Sequence, residues 1–182
     1  MFVKKALKII VIALLVIVAL ALAYLAYVLI DYHRIGDQTL PVTQANARQP
    51  AVGEAYDIVS WNIGFGAYEA DYGFFMDGGT QSRAWSKERL EANLDAIGAR
   101  LTEQDADFLL VQEVDTDATR SYHVQEYEVL QETLGDCRAY SHVFAQNYDS
   151  PYLMYPIAQP HGASKAGLAT FADFAIDSAQ RV

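Results

Sequence analysis

Cysteine is nearly absent from this sequence: Cys137 is the only one in 182 residues. A single thiol cannot form an intramolecular disulfide, and it cannot build a zinc site that needs several cysteines. Disulfide-stapled secreted modules and cysteine-rich metal domains are therefore excluded. We expect Cys137 to be a small residue that follows a helix end.

Basic residues are scarce outside the amino terminus. All 23 carboxylates lie at residue 31 or beyond, against 10 of the 13 Lys and Arg, so that this portion has a formal charge of −13. Such a surface repels polyanions, because nucleic-acid binding depends on basic side chains that neutralise phosphates. We therefore expect no stable nucleic-acid complex.

Charged residues are also missing from Ile9 to Ile30, a run that follows Lys4, Lys5 and Lys8. As a helix the run would be about 33 Å long, enough to cross a hydrocarbon core of about 30 Å. The lysines predict a cytoplasmic amino terminus, so we expect a single-pass cell-membrane protein whose residues 9–30 contact the lipid bilayer and whose domain is extracytoplasmic. A signal peptide cleaved after Ala21-Leu22-Ala23 is the rival interpretation, but the apolar run continues well beyond that point, which favours an uncleaved anchor.

The rest of the sequence divides into a linker and one domain. Residues 1–31 form the cytoplasmic stub and anchor, and residues 32–54 carry Gly and Pro without an apolar period, which is typical of a linker. Residues 55–182 have the patterns of a folded α+β domain. Within it, the loop 63–85 is rich in Gly and aromatic residues. Loops of this length are usually functional or disordered, and the aromatic content argues against plain disorder.

Periodicity predicts the elements of this domain. Ser86 is a suitable N-cap for a helix that runs to about Gln104, with leucines and an isoleucine at helical spacing on its inner face. A second helix is expected at 124–134, with Gly135 at its C′ position. We further predict strands at about 55–62, 108–114, 139–146 and 166–172, a loop at 148–165 and the start of another strand at 174–182.

Two of these strands end in polar residues. Tyr56 to Asn62 reads YDIVSWN, Phe108 to Val114 reads FLLVQEV, and a helix separates them. A right-handed βαβ crossover brings the carboxyl ends of parallel strands to the same edge of the sheet, so we expect Asn62 and Glu113 to lie side by side. An amide beside a carboxylate in such a crevice suits a hard divalent cation and a phosphate.

The pattern resembles the endonuclease/exonuclease/phosphatase superfamily over residues 55–182. The resemblance rests on Ser60-Trp61-Asn62, on Val111-Gln112-Glu113-Val114, and on Gly167-Leu168-Ala169-Thr170 followed by Arg181. It implies a deoxyribonuclease-like fold, a two-sheet β-sandwich flanked by helices. It also implies that Glu113 binds a catalytic Mg²⁺, or Mn²⁺, and that Asn62 positions the metal and the scissile phosphate of a phosphoester substrate: a phospholipid headgroup, a small phosphate ester or a nucleic acid.

The second half of that family's motifs is missing. The sequence contains no Asp-x-Asn tripeptide and no Asp-His dipeptide, which supply further ligands and the base in the family. We therefore expect the amino-terminal half of such a domain, a truncated sandwich with little or no activity alone. The alternative is a non-catalytic, membrane-anchored remnant or binding module.

Other polar residues are weaker candidates. Arg120 and Lys165 are possible substrate-phosphate contacts, although solvent-facing charges are the more ordinary interpretation. We expect Asp115 and Asp117 to be solvated loop carboxylates rather than the Asp-x-Asp motif of a glycosyltransferase. Three histidines of the domain, His123, His142 and His161, lack metal-ligand spacing and an evident partner.

Overall fold

The amino-terminal segment is one long apolar helix. In the computed structural model, which describes residues 2–182, helix α1 spans Phe2–Asp31. Its length and composition are sufficient to cross a membrane, and its apolar window is not buried against the rest of the protein. The helix ends at Asp31, where the sequence predicts that the anchor ends.

The remainder is an α+β arrangement with two sheets. Strands β1 (Gln38–Leu40) and β7 (Ala179–Arg181) pair antiparallel in a small sheet. The larger sheet has the order β2-β5-β6-β4-β3. Its strands are β2 (Val42–Thr43), β3 (Ile58–Asn62), β4 (Phe108–Ala118), β5 (Ser141–Leu153) and β6 (Gly162–Ala172).

The predicted crossover unit is present. Strands β3 and β4 pair in parallel, and helix α2 (Lys87–Glu103) connects them. The Ser86 side chain caps this helix by accepting a hydrogen bond from the Arg89 backbone N–H at 3.2 Å. Leu90, Leu94 and Leu101 are fully buried against the sheet. Local capping and helical periodicity therefore place the two polar strand ends together.

Helix α3 (Glu126–Gly135) starts two residues later than predicted. Val124 lies instead in the turn before the helix, where its N–H bonds to the Ser121 carbonyl. Gly135 is the last helical residue rather than the C′ residue, and Asp136 caps the end. Leu130 and Leu134 are buried as expected, and Cys137 is exposed just after the helix.

The hairpin of β5 and β6 corrects the predicted loop at 148–165. The two strands continue pairing through Tyr148↔Ala166 and Ser150↔Ser164 to Leu153↔Gly162. Only residues 154–161 connect them. The Tyr, Pro and Gly content suggested irregular backbone, but register shifts within the ladder accommodate these residues without ending the strands.

The predicted linker at 32–54 also carries structure. It contributes β1, which pairs with β7, and β2, which pairs with β5. Both strands are too short to give a readable alternation, so the sequence could not reveal them. Conversely, the predicted strand at 174–182 is reduced to β7, because residues before Ala179 do not join a ladder.

The long loop between β3 and α2 is ordered around aromatic side chains. It contains two 3-10 turns, Gly64–Gly66 and Phe75–Asp77. Phe65 is fully buried in the main core, and the rings of Tyr68, Tyr72 and Phe74 lie about it at centroid distances of 5.9, 6.1 and 5.8 Å. These ring contacts therefore hold the loop against the core.

Candidate functional site

Asn62 and Glu113 lie side by side at the carboxyl ends of β3 and β4. The Asn62 Nδ2 donates a hydrogen bond to Glu113 Oε1 at 2.8 Å. The Gly64 backbone N–H donates to Asn62 Oδ1 at 2.9 Å, which fixes the orientation of the amide. The predicted proximity of these two side chains is confirmed. The contact also leaves the second carboxylate oxygen of Glu113 free to bind another group.

A β-bulge aims the Glu113 side chain. Val111 pairs with Ala169 and Val114 with Gly167, so Gln112 and Glu113 together face one residue of β6. Glu113 has a φ of 55°, a left-handed conformation that costs free energy in a residue with a side chain. Such strain is concentrated at functional sites, and bulges there redirect side chains. The Gln-Glu dipeptide gives no sequence signal for this bulge.

Glu113 opens onto a pocket of about 400 Å³ between the long loop and the β5–β6 hairpin. A smaller hollow adjoins it, where Asn62, Glu113, Asp77 and Tyr68 meet. The lining of the main pocket combines a few polar groups with an apolar wall: Tyr68, Phe74, Met76, Asp77, Gln112, Glu113, Arg120, Asn147, Tyr148, His161, Ala166 and Leu168.

Tyr68 and Asp77 are site residues that motif reasoning missed. The Tyr68 hydroxyl donates to Asp77 Oδ2 at 2.7 Å beside Glu113. Burial raises the pKa of Tyr68 and the hydrogen bond to Asp77 raises it further, so the phenol remains a donor at neutral pH. The available signal was the length and aromatic content of the loop, which argued against plain disorder but did not indicate which residues face the pocket.

Arg120 is buried in the pocket wall, which corrects the solvent-facing interpretation. Its Nε donates to Asp115 Oδ2 at 3.0 Å and its Nη2 to Asp115 Oδ1 at 2.8 Å. The guanidinium also stacks over the Phe65 ring, 4.0 Å from the centroid. Burial alone would lower the pKa of Arg120, but the Asp115 carboxylate outweighs it and raises the pKa, with a smaller contribution from Glu113. The cation is thus held rigidly at the pocket surface.

Asp115 is fully buried and belongs to β4, so its expected role as a solvated loop carboxylate is wrong. In addition to the two bonds from Arg120, it accepts a hydrogen bond from Ser121 Oγ at 2.9 Å. Asp117, by contrast, is exposed as expected and bonds to His123 at 2.6 Å. An irregularity in the β4–β6 register separates Asp115 from Asp117, so the two side chains do not share one environment as the alternation of a regular strand would require.

Glu126 is a second buried carboxyl group that sequence reasoning missed. Its Oε2 accepts the Asp115 backbone N–H at 2.8 Å, while its buried Oε1 has no partner among the described residues. Burial raises the pKa of Glu126 well above its ordinary value, and the charge of Asp115 raises it further. The raised pKa favours the protonated form of Glu126 beside the Asp115–Arg120 ion pair.

Lys165 is not part of this pocket. It is exposed on β6, where it lies opposite Asp117 on one side and Asp149 on the other. Of the two candidate phosphate contacts, only Arg120 is placed beside Glu113. Both of its cross-strand neighbours are acidic, an arrangement that favours a lysine at this position.

The three histidines of the domain all have partners, which corrects the prediction that none was evident. His161 is buried in the pocket wall, 3.4 Å from the Ser82 carbonyl and from Ser164 Oγ, and burial lowers its pKa. His142 contacts the Tyr127 hydroxyl at 2.7 Å. Both nitrogens of His161 are directed at protein atoms, so it stiffens the wall rather than facing a reacting group.

The donor set around Glu113 fits a hydrated cation but not a closed metal cage. Within residues 2–182, no group of three or more His, Cys, Asp or Glu side chains is arranged to hold a metal. Glu113 and Asp77 line the same hollow, together with the Asn62 amide. Mg²⁺ is commonly bound by one or two carboxylates, with waters and substrate oxygens completing its shell. These residues would therefore bind it weakly.

Comparison with protein-family models, with curated proteins and with solved structures finds no match to this chain. A function can therefore be inferred only from the geometry of the pocket and from the resemblance of its strand-end motifs.

Proposed function

We propose that this protein is a membrane-anchored, Mg²⁺- or Mn²⁺-dependent phosphoester hydrolase of the endonuclease/exonuclease/phosphatase superfamily. Helix α1 is its uncleaved anchor, its amino terminus is cytoplasmic, and its domain is extracytoplasmic. The five-stranded sheet corresponds to part of a deoxyribonuclease-like sandwich. The observation that carries the proposal is the Asn62–Glu113 hydrogen bond at the edge of a pocket that also contains the buried cation Arg120.

Each of these side chains has a distinct task. Glu113 supplies a carboxylate oxygen to the cation, and Asn62 holds Glu113 in place through its amide. A bound divalent cation would stabilise negative charge on the phosphoryl oxygens. Arg120 supplies a second, permanent positive charge for the phosphate, and its bidentate pair with Asp115 keeps the guanidinium oriented before substrate binds.

Charge restricts the substrate class. The portion from residue 31 onward has a formal charge of −13, which disfavours long nucleic acids. The apolar wall of the pocket, with Phe74, Met76 and Leu168, suits a ligand with a hydrocarbon or aromatic part. A phospholipid headgroup or a small phosphate ester is therefore the proposed substrate class.

Activity of these 182 residues alone should be low. His161 is turned toward Ser82 and Ser164, so no histidine in the described pocket is free to serve as general base. A positioned base is worth about 10²- to 10⁴-fold in rate. The sequence also lacks the Asp-x-Asn and Asp-His motifs that the resemblance would require. The competing proposal, a non-catalytic anchored remnant or binding module, rests on the same lack of a general base and of these motifs.

Metal-dependent phosphate binding separates the two proposals. Isothermal titration of the full chain in detergent micelles with inorganic phosphate should show binding that Mg²⁺ strengthens. Glu113→Gln should remove the effect of Mg²⁺, and Arg120→Met should remove phosphate binding in either condition. Asp117→Asn is the matched control, since Asp117 lies on the same strand but outside the pocket. Phosphate binding that is equal with and without Mg²⁺ would favour the non-catalytic module.

A further inference from the structure

The segment that connects β5 and β6 is unlike the rest of the domain. From Ser150 to Ser164 there is no Asp, Glu, Lys or Arg, although the portion beyond residue 31 is strongly acidic. The same segment exposes large apolar side chains: Met154 is 49%, Tyr155 68% and Ile157 78% accessible. Exposed apolar side chains grouped in one charge-free segment indicate a surface that contacts something other than water.

This segment is attached to the anchor helix. Tyr24 Oη accepts a hydrogen bond from the Met154 backbone N–H at 2.9 Å and donates to the Tyr152 carbonyl at 3.3 Å. Tyr27 Oη accepts from the Tyr152 backbone N–H at 3.0 Å. The end of the hairpin is therefore fixed against the carboxyl-terminal turns of α1.

The position of these two tyrosines along α1 determines where the end of the hairpin lies relative to the bilayer. Tyr24 follows Lys8 by about 24 Å of helix, and Tyr27 by a further turn. With the Lys8 ammonium at one face of a hydrocarbon core about 30 Å thick, both tyrosines lie near the opposite face, where Tyr and Trp side chains are enriched. The atoms they bond, in Tyr152 and Met154, must then lie at that same boundary.

We propose that residues 152–157, together with Met76, form a second membrane contact that lies in the interfacial layer of the bilayer that α1 crosses. The Phe75 ring packs on Tyr155 at 5.7 Å, which places the neighbouring Met76, 73% accessible, beside the segment. Apolar and aromatic side chains enter this layer to a depth of about 5–10 Å, and a charge-free segment crosses it without a desolvation penalty for ions. The partner is the lipid surface itself.

The contact would hold the main pocket close to the headgroups. Tyr148 lines the pocket and precedes Tyr152 by four residues along β5, about 13 Å of strand. Met76 belongs to both the pocket lining and the proposed contact. The membrane contact depends on the anchor geometry alone, so it stands whether or not the pocket hydrolyses phosphoesters.

The fluorescence of a label attached at a single residue measures how deeply the proposed contact enters the bilayer. A nitrobenzoxadiazole label is attached at Ile157→Cys in the full chain carrying Cys137→Ser, reconstituted in phosphatidylcholine vesicles. The control is the same label at Ile58→Cys, since Ile58 is similarly exposed, 62%, but lies on β3 at the far edge of the sheet. Lipids spin-labelled near the headgroup should quench the label at 157 at least about twofold more strongly than the label at 58, given the expected interfacial depth.

Three outcomes are informative. Strong lipid quenching at 157 alone supports the contact, and equal quenching at both positions overturns it. A label at 157 that is shielded from aqueous iodide but is not quenched by lipid would show that protein covers it, such as a second copy of this chain, and would also overturn the proposal.

A further variant tests whether these residues hold the pocket rim on the bilayer. Tyr155→Ser with Ile157→Ser should at least halve the lipid quenching of a label at Met76→Cys.

Discussion

Replacing Asp115 by asparagine tests the buried pair on which the site depends. Asp115 is fully buried and accepts two hydrogen bonds from Arg120 and one from Ser121. The asparagine amide keeps the shape but turns one acceptor into a donor that faces another donor. It also leaves the Arg120 guanidinium, whose side chain is 10% exposed, without its counter-ion.

Breaking a buried ion pair by changing one partner usually costs about 3 to 5 kcal/mol. Part of the cost should be recovered here, because Asp115 itself helps to keep Glu126 protonated. Without the Asp115 charge, the pKa of Glu126 should fall toward its ordinary value, which would let its carboxylate offset part of the Arg120 charge. We therefore expect a loss near the lower end of that range, about 3 kcal/mol, out of a total stability of about 5 to 15 kcal/mol for a typical domain.

The assay is urea unfolding of the full chain in detergent micelles at neutral pH, followed by the fluorescence of Trp61 and Trp85, the only two tryptophans. Asp117→Asn, two residues along the same strand and exposed, should change the free energy of unfolding by less than about 0.5 kcal/mol. An Asp115→Asn variant as stable as this control would refute the view that the pair orders the pocket wall.

Three other parts of the structure also give testable expectations. The pKa of Glu126 is raised in the folded protein, so its stabilising contribution is present below its ordinary pKa and is lost as the pH rises through the folded pKa. Glu126→Gln should therefore remove this loss and make the protein more stable at neutral pH, measured by urea unfolding across pH. Glu113→Gly and Glu113→Ala both remove the hydrogen bond from Asn62, so the difference between them isolates the backbone strain; the glycine variant should be more stable by about 1 kcal/mol, and equal stabilities would show that the bulge is not strained. Protease added to intact cells should digest the domain and leave a short membrane stub containing α1; a fully protected domain would reverse the proposed orientation.

The β3–α2–β4 unit could be predicted because its determinants are local. Ser86 caps the helix, the leucine stripe identifies its buried face, and the handedness of a βαβ crossover places Asn62 beside Glu113. None of these inferences needs knowledge of a distant contact. The long apolar helix could be predicted for the same reason, because the length and composition of an uninterrupted apolar run are local properties of the sequence.

The features that the sequence did not reveal depend on distant partners. A lone arginine on a loop is usually solvated, and Arg120 is buried only because Asp115 and the Phe65 ring converge on it from different elements. Strands β1 and β2 exist because β7 and β5 supply partners, which a few residues of sequence cannot reveal. The bulge at Glu113 likewise arises from how β4 meets β6.

Binding of Mn²⁺, followed by electron paramagnetic resonance, tests whether Glu113 is the proposed divalent-metal ligand. The full chain in detergent micelles is titrated with Mn²⁺, and the free-ion signal is compared among wild type, Glu113→Gln and the control Asp117→Asn. We expect one weak Mn²⁺ site for which Mg²⁺ competes, retained in Asp117→Asn and lost in Glu113→Gln. Binding that is unchanged in Glu113→Gln, or absent from the wild type, would contradict it.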